Sequence, residues 1–132
     1  MAGLGTRMLP ATKVVPKELL PVAGKPVIQL IVEEAVEAGF SEIIFVTNSS
    51  KVSVESHFKT SSKLEKKLKK QLKTSLLKEI KEISNHKIKI LNIEQKEPKG
   101  LGHAILSAKS LISKEPFAVM LPDMVIESNH KG

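Results

Sequence analysis

Two short, continuously apolar runs, within "SEIIFVTN" at 41–48 and "FAVMLPD" at 117–123, limit what this chain can become. Each has the length of one strand, and neither alternates with polar residues. Runs of this kind belong to strands covered on both faces. The segments before and between them have a different rhythm. "PVIQLIVEEAVEAG" carries Val27, Ile31, Ala35 and Ala38 at helical spacing, with Pro26 suited to its first turn and Gly39 to its end. "GLGHAILSAKSLI" repeats the pattern at Leu101, Ala104, Ile105, Ala108, Leu111 and Ile112. "KIKILNI" alternates polar and apolar residues and reads as a strand toward a sheet edge. Strands alternating with helices imply an α/β class, with a mostly parallel sheet and flanking helices. "FAVMLPD" is the clearest buried strand of the set, ending in Pro122 and Asp123. Ligands of open α/β sheets gather at the carboxyl ends of strands, and Asp123, the chain's only Asp, stands at such an end.

A basic segment interrupts this alternation at about 60–85. Leu64, Leu68, Leu72, Leu76, Ile80 and Ile83 form one apolar stripe, so one amphipathic helix packed on the domain is expected. Ser62 and Glu65, in "SKLE", are placed for a capping box, and Asn85 can end the helix. Residues 59–87 hold ten lysines against three glutamates, which accounts for the whole net charge of +7. Such a charge invites a nucleic-acid reading. Yet Arg7 is the only arginine and four phenylalanines are the only aromatic residues, whereas nucleic-acid readers combine arginine with stacking rings. A solvated helix face explains the lysines better.

The 132 residues suffice for one domain, and residues 1–132 read as a single unit carrying the lysine-rich insertion. The absence of Cys excludes disulfides and thiolate metal sites and fits a reducing cytoplasm. No apolar run approaches the ~18 residues of a membrane span, and the first residues do not form a signal peptide.

The opening stretch "AGLGTRMLPATKVVPKELLPVAGKPVIQ" holds the chemistry-bearing residues. Gly3 and Gly5 permit a tight turn and let backbone N–H groups approach an anion. Arg7 adds a permanent charge with forked donors suited to phosphate oxygens. Neither the dinucleotide fingerprint nor the P-loop pattern is satisfied, because Met8 stands where the former needs its third Gly. Four prolines (10, 16, 21 and 26) surround Lys13, Lys17 and Lys25, so this cationic segment should follow a stiff, extended path. Stiffness matters because electrostatic stabilisation works best when preorganised.

The stretch resembles the sugar-1-phosphate nucleotidyltransferases, and "LPATK…PKELLP" is similar in wording to their bacterial UTP–glucose-1-phosphate branch. The resemblance continues through "VEEAVEAGFSEIIFVTNSSK", "QKEPKGLGHAIL" and "EPFAVMLPDMVI", nearly the whole chain. It implies a Rossmann-like sheet and uridylyl transfer from UTP to glucose 1-phosphate, giving UDP-glucose and pyrophosphate. It also implies residue roles. Ala2, Gly3, Gly5 and Thr6 would wrap the nucleotide, and Arg7 would grip the β- and γ-phosphates that leave. Lys17 would meet the α-phosphate region, and Gln95 with Gly100 would read the uracil edge. Asp123 would hold Mg²⁺, a hard cation content with one or two carboxylates plus phosphate oxygens. His103 fits a structural or sugar-contacting role better than acid–base chemistry. Lys13 and Lys25 are expected to face solvent, and Glu33, Glu34 and Glu37 to form an exposed helix face.

Two departures from the family pattern shape the remaining expectations. Met1 stands where the family's first strand ends, and "ESNHKG" closes the chain soon after the expected metal-binding strand. The family's first strand and its C-terminal half, with the sugar-binding residues, have no counterpart here. The expectation is therefore a nucleotide-binding part with little or no transferase activity on its own, open to self-association or to a complementary fragment. The alternatives are a thymidylyltransferase or other sugar-1-phosphate nucleotidyltransferase, and a non-catalytic basic binding fragment.

Overall fold

The computed structural model describes residues 8–47, 52–84 and 88–122. The proline-rich stretch is more sharply folded than an extended path. It makes two 3₁₀ turns, Ala11–Lys13 and Lys17–Leu19, then a short hairpin of β1 (Pro21–Val22) and antiparallel β2 (Lys25–Pro26). The hairpin turn is Ala23-Gly24, with φ of 49° and 86°. Two consecutive left-handed residues are what a tight two-residue hairpin requires. Val27 N–H donates to Leu20 O at 3.1 Å and ties the hairpin's base to the helix that follows.

Helix α1 (Val27–Glu37) buries Ile28, Val32 and Ala35 along one face; of the expected stripe, Val27 and Ala35 are buried, Ile31 is half-buried and Ala38 is exposed. Gly39, at φ +87°, ends it: Gly39 N–H donates to Val36 O and Phe40 N–H to Ala35 O. This left-handed closure turns the chain straight back into β3 (Glu42–Thr47), and Ile28 and Val32 of α1 share the core with Phe45 of β3. β4 (Lys89–Glu94) pairs with β3 in parallel, from Glu42 opposite Lys89 to Thr47 opposite Glu94. Ile28, Val32, Phe45, Val54, Phe58 and Ile88 form the core between this pair and the helices. Phe45 and Phe58 meet there with ring centroids 5.7 Å apart.

The basic segment differs from the expected single helix. After α2 (Val52–His57), it divides into α3 (Ser62–Lys70) and α4 (Thr74–Ser84). Leu72, at φ +54°, makes the reversal and is 86% exposed, outside any apolar stripe. The capping box is also absent. Ser61 occupies the N-cap without a side-chain cap, and its carbonyl receives Glu65 N–H at 2.9 Å. Of the expected stripe, Leu68 is buried and Ile83 packs against the core, while Leu64 and Leu76 are exposed.

Helix α5 (Leu101–Ser107) is shorter than its periodic pattern, and residues 108–111 continue it as turns. The larger correction concerns "FAVML". Residues 117–121 form no strand, and Phe117 is 55% exposed. A cavity of about 480 Å³ lies among α1, β3, α5 and this segment, lined by Ile31, Ile44, Val46, Ile105 and Val119 among others. Among the described residues the parallel sheet is β3–β4 alone. An apolar run becomes a strand only when a neighbouring backbone takes up its N–H and C=O groups, and among the described residues no strand pairs with 117–121.

Candidate functional site

The sheet's carboxyl edge is where β3 and β4 end side by side, at Thr47 and Glu94. The ladder goes one step further, with Gln95 N–H donating to Thr47 O at 2.7 Å. That bond seats Gln95 at the edge, where it is only 2% exposed. Its side-chain amide nitrogen lies 3.3 Å from Gly100 O and 2.9 Å from His103 Nδ1. Gly100 caps α5 at φ +92°, ψ −178°, a pose available essentially to glycine alone. Its carbonyl also accepts Ala104 N–H at 3.1 Å, which fixes its direction. Gln95 and Gly100, paired by the sequence, are thus in direct contact.

The 3₁₀ turn holding Lys17 and the hairpin after it sit against the start of α1. A chain of polar contacts anchors them. Lys25 Nζ donates to both Glu33 oxygens, at 3.1 and 2.9 Å. Gln29 Nε2 donates to Glu33 Oε1 at 2.8 Å, leaving Gln29 Oε1 to accept from His57 Nε2 at 3.0 Å. Burial holds the His57 pKa below its ordinary value. Lys25 faces solvent, as the sequence suggested, and its pairing with the half-buried Glu33 joins hairpin to helix. Lys13, Glu34 and Glu37 are exposed as expected.

Glu18 is fully buried, beside Lys17 in sequence, and both residues hold interactions of their own. Sequence reasoning passed over it. Its one signal was a carboxylate within a proline-stiffened "PKELLP", because charged side chains are almost never fully buried unless held by partners. Ala2, Gly3, Gly5, Thr6, Arg7 and Asp123 lie outside the described residues. Among the described residues no group of three or more His, Cys, Asp or Glu side chains gathers as a metal cage.

The geometry is that of a parallel sheet edge fitted with a buried side-chain amide and, near the start of α1, a turn carrying Lys17. Residues 1–131 match the family profile described as Nucleotidyl transferase. The chain belongs to the nucleotidyl transferase family. Among curated proteins it is 53% identical to the UTP–glucose-1-phosphate uridylyltransferase of Haemophilus ducreyi, over 96% of this chain and 43% of that one. The Bacillus subtilis protein of the same description is likewise 53% identical, over 99% of this chain and 44% of its own length. Two solved structures share 46% identity and cover 97% of this chain and 45% of theirs. They are the UDP-glucose pyrophosphorylase of Acinetobacter baumannii, with a TM-score of 0.92, and its UTP-bound form, with 0.91. This nucleotidyl transferase chain spans less than half the length of these relatives.

Proposed function

We propose that the chain carries the nucleotide-binding part of an enzyme that joins UTP and glucose 1-phosphate into UDP-glucose and pyrophosphate. The observation that carries the reading is the buried Gln95–Gly100 contact at the carboxyl edge of β3 and β4, in a chain 46% identical to a UTP-bound relative. The free oxygen of the Gln95 amide would accept from uracil N3–H, and a backbone group of Gly100 would complete the match to the uracil edge. Ala2, Gly3, Gly5 and Thr6 would then enclose the nucleotide, and Arg7 would hold the departing β- and γ-phosphates.

In the reaction, a phosphate oxygen of glucose 1-phosphate attacks the α-phosphorus of UTP in line, and pyrophosphate leaves. The attacking oxygen is already anionic near neutral pH, so positioning and charge neutralisation do the work and no general base is needed. Lys17, on a turn braced against α1, supplies fixed positive charge near the α-phosphate. Asp123 would hold Mg²⁺, which shields the triphosphate oxygens when bound; a single carboxylate plus phosphate oxygens suits that ion, so no protein cage is required. The setting is a cytoplasmic one, in keeping with a chain free of Cys.

Calorimetric titration with UTP, dTTP and CTP, with and without Mg²⁺, tests the reading directly. UTP is expected to bind best, and more tightly with Mg²⁺. Equal or better binding of dTTP would reassign the chain to a thymidylyl-type relative, and no binding of any nucleotide would remove the reading. A pyrophosphate-release assay on the same sample measures how much of the chemistry this length of chain performs.

A further inference from the structure

We propose that His103 is a positioning residue: it fixes which way round the Gln95 amide sits, and so sets the preference for uridine over cytidine. This rests on the reading above, in which Gln95 meets the base. A glutamine amide is nearly symmetric in shape but opposite in chemistry at its two ends. Turned one way it accepts a hydrogen bond, as uracil N3–H requires. Turned the other way it donates, as cytosine N3 requires. A site that chooses between the two bases must therefore prevent the amide from turning over.

The structure contains the means. Gln95 Nε2 faces Gly100 O, which can only accept, at 3.3 Å, and His103 Nδ1 at 2.9 Å. The Gly100 contact is long and shared with Ala104 N–H, so it is the weaker constraint. The His103 contact has full hydrogen-bond length, and it works only if Nδ1 is the acceptor, with the ring proton on Nε2. Both amide hydrogens are then occupied, and Oε1 alone is left to face a base. Turning the amide over would set Oε1 against Gly100 O and against the Nδ1 lone pair, two repulsive contacts for a side chain only 2% exposed. A cytosine would meet Oε1 with its own N3 lone pair, and a buried, mismatched polar pair is where selectivity originates.

The test compares UTP and CTP affinities for the wild-type chain, His103→Ala and His103→Asn, with thermal melting to confirm folding. The Asn amide oxygen can stand where Nδ1 stood, so His103→Asn keeps an acceptor. The UTP-to-CTP affinity ratio is expected to fall about tenfold or more in His103→Ala and to stay near wild type in His103→Asn. Should His103→Ala fail to fold, His103→Phe fills the space without an acceptor and makes the same comparison. Loss of affinity for both nucleotides with an unchanged ratio would mean a merely structural role and would overturn the proposal. A wild-type chain that binds no UTP would instead bring down the underlying reading and this proposal with it. Nitrogen-15 NMR of the free chain gives an independent check: His103 should carry its proton on Nε2, and a proton on Nδ1 would overturn the proposal without any nucleotide.

Discussion

Helices α1 and α3 end in the same way but over different residues. At the end of α1, Gly39 and Phe40 donate to Val36 and Ala35, and the left-handed residue is Gly39. At the end of α3, Leu72 and Lys73 donate to Lys69 and Leu68 with the same spacing, but the left-handed residue is Leu72. α1 buries most of one face in the core, whereas in α3 Leu68 is buried and the lysines around it are exposed. The helix that positions the candidate site has a glycine where the backbone requires one. The basic hairpin tolerates a side chain in a backbone region that disfavours it by about 1–2 kcal/mol. Packing and local backbone preference agree in one region and conflict in the other.

The largest test of this contrast is truncation within each helix. Ile28→Ala in α1 should cost about 2–5 kcal/mol in urea unfolding, since it hollows the core. Leu64→Ala in α3, at an exposed position, should cost less than about 1 kcal/mol. Comparable losses at the two sites would break the comparison. The helix ends come next, with opposite signs. Gly39→Ala meets no atom within 4 Å, so its expected loss of about 1–2 kcal/mol is backbone strain alone. Leu72→Gly should stabilise by up to about 1 kcal/mol, because strain is relieved and little buried area is lost. A loss at Leu72→Gly would mean that the exposed leucine does something the fold does not show.

A smaller effect belongs to His57, the end of the polar chain through Gln29 and Glu33. Its folded pKa lies below the unfolded value near 6.5, so between the two values the unfolded chain binds more protons. Stability should therefore fall as the pH drops below about 6.5 and level off once the folded pKa is passed. His57→Gln should remove this part of the slope in melting curves taken across that window. The smallest effect is expected at the exposed Lys78–Glu82 pair on α4, where Lys78→Ala should change stability by no more than about 0.5 kcal/mol and less in high salt.

Much of the fold was legible from periodicity. α1, β3 and β4 stand where their apolar spacing put them, because each pattern matches one element's geometry and is satisfied nearby. The division of the basic helix was not legible, since 64–83 keeps helical spacing straight through Leu72. Nor was the fate of "FAVML", whose composition matches β3 but whose residues lack a ladder partner among those described. Within the candidate site, Gln95 and Gly100 were named from their motif, and their contact came with the fold. His103 was singled out without its link to Gln95. Glu18, and the chain from Lys25 through Glu33 and Gln29 to His57, had no sequence signal strong enough to predict them.

The sequence by itself determined the α/β class, the placement of the first parallel pair and the family to which the chain belongs. Those depend on local pattern and on motif wording, both of which are written along the chain. Tertiary structure alone decided which apolar run became a strand, which charges pair, and which way the Gln95 amide faces. The physical reason is that a hydrogen bond needs a partner brought from elsewhere: His57 meets Gln29 from 28 positions away, and Gln95 N–H reaches Thr47 O only because two strands lie side by side.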